Sequence, residues 1–185
     1  MVTSLIKSGT KLILSKLFSE YRINWIYAAD AVLPGSDNII AVPLTSDLES
    51  KLTASTTAKM RNSLSYARAG QAGLALVENG SPVCVAHFAT PEQYDRNGTW
   101  PLQSSEIALM DIATEDAERG RGLAVNLIRA ATRLYLGQGQ KRMIAFIWWS
   151  NTPSSRAFAK AGWKRIGLSL EFEIAGRWRG IRIRR

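Results

Sequence analysis

The spacing of apolar and polar positions divides this chain into blocks with two different periods. From Gly122 to Leu136, apolar Leu123, Val125, Leu127, Ile128, Ala131, Leu134 and Tyr135 recur at three- and four-residue spacing, with Asn126, Arg129 and Arg133 on the other side. That is a helix with one buried face, and Gly137 supplies its stop. Gly73 to Val77 and Pro82 to Phe88 are β-rich and flank Glu78-Asn79-Gly80-Ser81. Asn-Gly supplies the positive backbone angles of a tight turn, so these runs predict an antiparallel hairpin.

Further along, Glu106 to Ala113 suits a central strand, Arg142 to Trp148 a short apolar strand, and Thr152 to Ala161 a short helix stopped by Gly162. Trp163 to Ile174 and Arg177 to Arg184 can close the chain as a hairpin around Ala175-Gly176. Upstream, Asn38 to Thr45 is a short β-rich run, and Ser46 to about Ala69 reads as one or two helices opened by a Ser-Asp cap. Strands before and after two helices predict an α/β (α+β) fold with one mixed central sheet flanked by helices.

The beginning of the chain reads differently. Leu5, Ile6, Leu12, Ile13, Leu14, Leu17 and Phe18, interrupted by Lys7, Lys11 and Lys16, predict a basic amphipathic helix from about Ser4 to Tyr21, followed by an aromatic segment with Trp25 and Tyr27. Pro34-Gly35-Ser36-Asp37 marks a break. We therefore divide the chain into an N-terminal helical appendage, 1–35, and a main domain, 36–185. Such a helix can pack on the domain, on a second subunit in a homodimer, or on a membrane surface.

With 185 residues, 46% of them hydrophobic and 21% charged, one folded core is expected, and coiled coil and low-complexity disorder are excluded. Cys84 is the only cysteine and His87 the only histidine, so no internal disulfide and no zinc-type metal site is expected. No run reaches the roughly 18 apolar residues of a membrane span, and the N-terminus lacks the core of a secretory signal. The expectation is a cytoplasmic protein, with peripheral membrane contact left open.

Charge is concentrated. Residues 1–140 carry 13 Lys and Arg against 13 Asp and Glu, whereas residues 141–185 carry 11 against only Glu171 and Glu173. The spacing of Arg177, Arg179, Arg182, Arg184 and Arg185 suggests that they project largely from one face of a final strand. Such an end suits an anionic partner, a phosphorylated small molecule or an anionic membrane, or is a solvated face. Basic residues are not interleaved with aromatics as in a stacking platform, so nucleic acid is not expected.

The chemistry lies between predicted strand and helix. Arg119-Gly120-Arg121-Gly122-Leu123-Ala124 stands at a strand-to-helix turn, where glycines permit close backbone approach and the first helical N–H groups bind an anion. A basic turn that simply opens with glycine has the same pattern. About thirty residues on comes Asn151-Thr152-Pro153-Ser154-Ser155-Arg156-Ala157-Phe158-Ala159-Lys160-Ala161-Gly162-Trp163.

With both motifs in order, the chain resembles the GNAT superfamily of acyl-CoA N-acyltransferases, over roughly residues 38–185. The resemblance implies acetyl-CoA or another acyl-CoA as co-substrate and a primary amine as acceptor, whether an amino sugar or its nucleotide derivative, another small-molecule amine or a protein amine; the basic end of the chain suits one of anionic character. It implies that Arg119, Gly120, Arg121, Gly122, Leu123 and Ala124 cradle the CoA pyrophosphate, that Ile112, Ala113 and Thr114 pair with the pantetheine arm, and that Asn151, with Ser154 beside it, lies near the sulfur-bearing end. The reaction implied is direct attack of a neutral amine on the thioester, with a strand amide steadying the oxyanion. Relatives often place a carboxylate base on the central strand. Glu106 is one candidate, about two residues early; Asp111 is another, on the opposite face unless a bulge intervenes. Phe158 stands where many relatives carry a tyrosine that protonates the leaving thiolate, and phenyl donates no proton. A non-catalytic CoA-binding or membrane-peripheral module is the competing expectation.

Overall fold

The computed structural model describes residues 20–32, 40–94, 100–174 and 177–184. Eight strands form one sheet: β1 (Glu20–Ala29), β2 (Val42–Pro43), β3 (Ala72–Glu78), β4 (Ser81–Ala89), β5 (Glu106–Thr114), β6 (Arg142–Trp148), β7 (Lys164–Ile174) and β8 (Arg177–Arg184). Their order is β2-β3-β4-β5-β6-β1-β7-β8. Among the described residues four α-helices are interleaved with them: α1 (Ser46–Thr53), α2 (Ala58–Arg68), α3 (Leu123–Gly137) and α4 (Thr152–Lys160). The β5–β6 pair is parallel and α3 makes its crossover, while the other strand pairs are antiparallel.

The expected mixed sheet with flanking helices is present. On one face Leu127, Ile128 and Ala131 of α3 pack on Leu74, Leu76, Ala86, Phe88, Leu109 and Met143. On the other, Leu48 and Leu52 of α1 and Met60 and Leu64 of α2 cover Ala75, Val85 and Ala113. The alternation Leu74, Ala75, Leu76 and Val85, Ala86 is strand periodicity made visible in packing. Each fully buried side chain of this kind contributes about 2 kcal/mol. The β3–β4 turn follows expectation, with Asn79 at φ 50° and Gly80 at φ 74°.

The N-terminal reading needs correction. Glu20–Ala29, assigned to the appendage, is β1, paired with β6 on one side and β7 on the other. Its end is buried on both faces, with Ile26, Tyr27, Ala28 and Ala29 all in the core. A near-continuous apolar run from Ile23 to Ala29 is what a strand buried on both faces requires. Residues 4–19, where the basic helix is expected, lie outside the described residues, as do the Pro34–Asp37 break and the Ala175-Gly176 turn. Among the described residues no helix is long and apolar enough to cross a membrane.

The one-face reading of the C-terminal arginines is also corrected. The β7–β8 register is unbroken, placing Arg179 opposite Phe172, Arg182 opposite Ser169 and Arg184 opposite Gly167. Arg182 stands three positions after Arg179, so they lie on opposite faces. Arg184 lies over the Trp100 ring, 5.3 Å from its centroid.

Candidate active site

Strands β5 and β6 pair only from Glu106 opposite Arg142 to Leu109 opposite Ala145. Beyond that they diverge, because each is held by its outer neighbour. β4 carries β5 through Thr114, while β1 carries β6 through Trp148. Glu115 N–H donates to the Val83 carbonyl at 3.0 Å. The antiparallel alternation then turns the backbone groups of Thr114 and Ile112 the other way, into the gap. These are strand-edge groups without a strand partner, suited to an extended amide-bearing chain.

The gap opens into a cleft of about 580 Å³, lined by the end of β5, the 118–125 turn, the first turns of α4 and Lys59. Ile112, Ala113, Thr114, Arg119, Gly120, Gly122, Leu123, Ala124, Asn151, Ser154 and Phe158 from the sequence reading all line it. Gly120 and Gly122 take φ of 83° and 78°, and a Cβ at either would stand in open space. The first bond of α3 runs from Asn126 N–H to the Gly122 carbonyl, leaving the N–H groups of Leu123, Ala124 and Val125 without intrahelical acceptors. Helix start, dipole and bare backbone together are an arrangement suited to an anion.

The arginines beside this cradle are already engaged. Arg119 pairs with Asp116 at 2.5 Å. Arg121 makes bonds of 2.8 and 2.9 Å to the two oxygens of Glu78 and also binds Glu118. The hydrogen bond from Arg121 holds Glu78 below its usual carboxylate range. What this turn can offer an anion is therefore its amides more than these guanidiniums. Arg156 and Lys160 of α4 also line the cleft and are exposed. They lie four residues apart inside the second motif, a spacing that places them on one helix face and could have flagged them. Asn151 caps α4, its Oδ1 accepting from Ser154 N–H at 3.2 Å.

The candidate carboxylates part company. Glu106 is 2% exposed at the far end of β5 and does not line the cleft. It accepts from Arg142 Nε at 2.7 Å and from Gln103 N–H at 3.0 Å. Asp111 does not line the cleft either, but a bulge sets its side of the sheet: His87 opposes Asp111 while Phe88 opposes Leu109. Asp111 shares the Ala113 side of the sheet and meets Lys59 Nζ at 3.5 Å. Phe158 is buried, its ring 4.9 Å from Trp163 and 6.0 Å from Tyr27. Burial pushes the Cys84 thiol up to about 11, which removes it as a nucleophile near neutral pH. His87 is fully buried, stacks on Tyr66 at 5.6 Å, and has no hydrogen-bond partner at either ring nitrogen. Trp148 and Trp149 do not line the cleft; Trp148 meets Tyr21 at 5.7 Å.

Lys59 escaped the sequence reading because nothing in its neighbourhood marks it. A distant network places it. Thr57 donates to Glu115 at 2.6 Å and accepts from Asp116 N–H at 2.9 Å, while Ser55 binds the other Glu115 oxygen. The start of α2 is thereby pinned to the end of β5, and Lys59 Nζ donates to the Ile112 carbonyl at 2.6 Å.

The family model described as FR47-like protein, a GNAT-related family, matches residues 92–171. A putative GNAT-family acetyltransferase from Novosphingobium aromaticivorans aligns with TM-score 0.60 at 18% identity, covering 82% of this chain and 63% of its own. A GNAT-family acetyltransferase from Colwellia psychrerythraea gives 0.59 at 17% identity, covering 84% and 58%. An aminoglycoside N-acetyltransferase in complex with CoA gives 0.53 at 17% identity, covering 76% and 98%. This chain thus spans less than two thirds of the length of the first two. No curated protein matches it. The fold is that of GNAT acetyltransferases, and the superfamily resemblance read from the two motifs holds.

Proposed function

We propose that this chain is an acyl-CoA-dependent N-acyltransferase that transfers acetyl from acetyl-CoA to a primary amine. The observation that carries the reading is one continuous cleft in which the free amides at the start of α3 adjoin the stretch of β5 that has no strand partner. Those two features fit the two halves of CoA. The Leu123, Ala124 and Val125 amides would take the diphosphate, with Gly120 and Gly122 leaving room for it. Backbone groups of Ile112 and Thr114 would pair with the pantetheine amides, and Arg156 and Lys160 would meet phosphate charge. CoA supplies a thioester whose carbonyl accepts the amine.

The chain's own residues then orient and polarise. N–H groups of β5 beyond Leu109, free of a β6 partner, can stabilise the oxyanion. Asp111, beside the cleft-lining Lys59, would take the acceptor's proton, directly or through water, since Glu106 is committed to Arg142. A thiolate leaving group is tolerable without an acid, since free thiols have a pKa of about 8.5. The acceptor classes that fit are an amino sugar or nucleotide-linked amino sugar, a small amine and a protein amine. The aminoglycoside N-acetyltransferase among the fold neighbours supports the sugar-borne amine, and the basic C-terminal quarter supports an anionic one.

Phe158 favours a second reading, a CoA-binding module without turnover. Thiol release from acetyl-CoA, followed across an amine panel with mass detection of products, separates the two. Amine-dependent release with an acylated product supports the enzyme; CoA binding without any release supports the module.

A further inference from the structure

Lys59 is a primary amine held at the edge of the catalytic cleft by the fold itself. Its ammonium bonds the Ile112 carbonyl at 2.6 Å and stands 3.5 Å from Asp111 Oδ1. The Ser55–Thr57–Glu115 network fixes the helix that carries it. The Lys59 side chain is 50% exposed against 18% for Asp111, so the pair is open to solvent and screened on the lysine side. The Ile112 carbonyl is one of the edge groups that a thioester-bearing arm would use, so the arm's arrival would free the Lys59 amine at the wall of the cleft.

We propose that Lys59 is a self-acylation site of this chain, taking the acyl group of a bound acyl-CoA; the proposal rests on the acyl-CoA reading above. The ammonium first gives one proton to solvent through the Asp111 carboxylate. The neutral nitrogen then attacks the thioester carbonyl, forming the C–N bond as the C–S bond breaks, and its second proton passes to the departing thiolate. The products are an amide at Lys59, CoA thiol and one released proton. A tethered amine needs no bimolecular encounter once CoA is bound, which is an advantage of several orders of magnitude over a free amine. The amide that results carries no charge, so the ion pair to Asp111 is lost.

Lys160 provides an internal control, being exposed in the same cleft but at the end of α4. The experiment is incubation of the full chain with acetyl-CoA and no added amine, with peptide mass spectrometry over time and CoA titration by calorimetry in parallel. Lys59 is expected to gain one acetyl group at least about tenfold faster than Lys160, Lys51 or Lys141, with a first-order rate independent of protein concentration. Excess free CoA is expected to suppress that labelling and leave the slow background on the other lysines unchanged. Lys59→Arg, checked for an unchanged melting temperature, should remove the fast phase entirely. If CoA binds and an external amine is acylated while Lys59 labels no faster than Lys160, self-acylation is overturned and the enzyme reading stands. If CoA gives no heat and labelling is uniform, both fall.

Discussion

Glu106 and Arg142 face each other across the first rung of the parallel β5–β6 pair, with Arg142 Nε 2.7 Å from the buried carboxylate. The second carboxylate oxygen accepts from Gln103 N–H. This pair anchors the paired end of the two strands, three rungs before they separate past Leu109 and Ala145, which is a positional duty. Glu106→Gln is expected to lower unfolding free energy by about 2 kcal/mol in chemical denaturation while leaving the acidic limb of the pH–rate profile in place. Loss of that limb in a folded variant would return Glu106 to the role of base.

Asp111 contacts the cleft-lining Lys59 and is the carboxylate proposed as base. Asp111→Asn keeps size and hydrogen bonding but removes proton acceptance, so turnover near neutral pH should drop by about 10²-fold, with partial recovery at high pH where the acceptor amine is already neutral. A variant with an unaltered pH–rate profile would exclude it.

His87 couples pH to stability. Burial pulls its pKa below the ordinary 6.5, opposed in smaller part by Asp111. The unfolded chain therefore binds the proton more readily, and stability present above that ordinary value is lost as pH falls below it. Thermal melts between about pH 7.5 and 5.5 should show the wild type declining more steeply than His87→Phe, which keeps an aromatic ring beside Tyr66. Parallel curves would show that His87 does not drive the decline.

Arg156 tests the phosphate end of the cleft. Reversal to Glu should weaken CoA binding by about 1 kcal/mol at low salt, with the difference shrinking as ionic strength rises to about 0.5 M. A salt-independent loss would point to altered packing of α4 instead.

Much of this architecture is legible in the sequence because the relevant signals are local. Asn79-Gly80 specifies its turn, and the 3.6-residue period specifies α3. Both motifs converge on the cleft because each is a backbone feature, a glycine turn and a helix start, that needs no distant partner. What escaped depends on distant contacts. β1 is a strand only because β6 and β7 flank it, and its apolar run was joined in reading to the amphipathic pattern preceding it. The side of Asp111 depends on a bulge against β4. The engagement of Arg121 requires Glu78, and the placement of Lys59 requires Glu115; both partners lie more than forty residues away.

The cradle at Gly122 is the most direct test. Its φ of 78° strains any β-branched residue, and the added side chain would occupy the open space that the diphosphate needs. Titration calorimetry with CoA should give binding to the wild type and a loss of at least about 2 kcal/mol in Gly122→Val that remains folded by circular dichroism. Equal affinity in the two proteins would contradict the account.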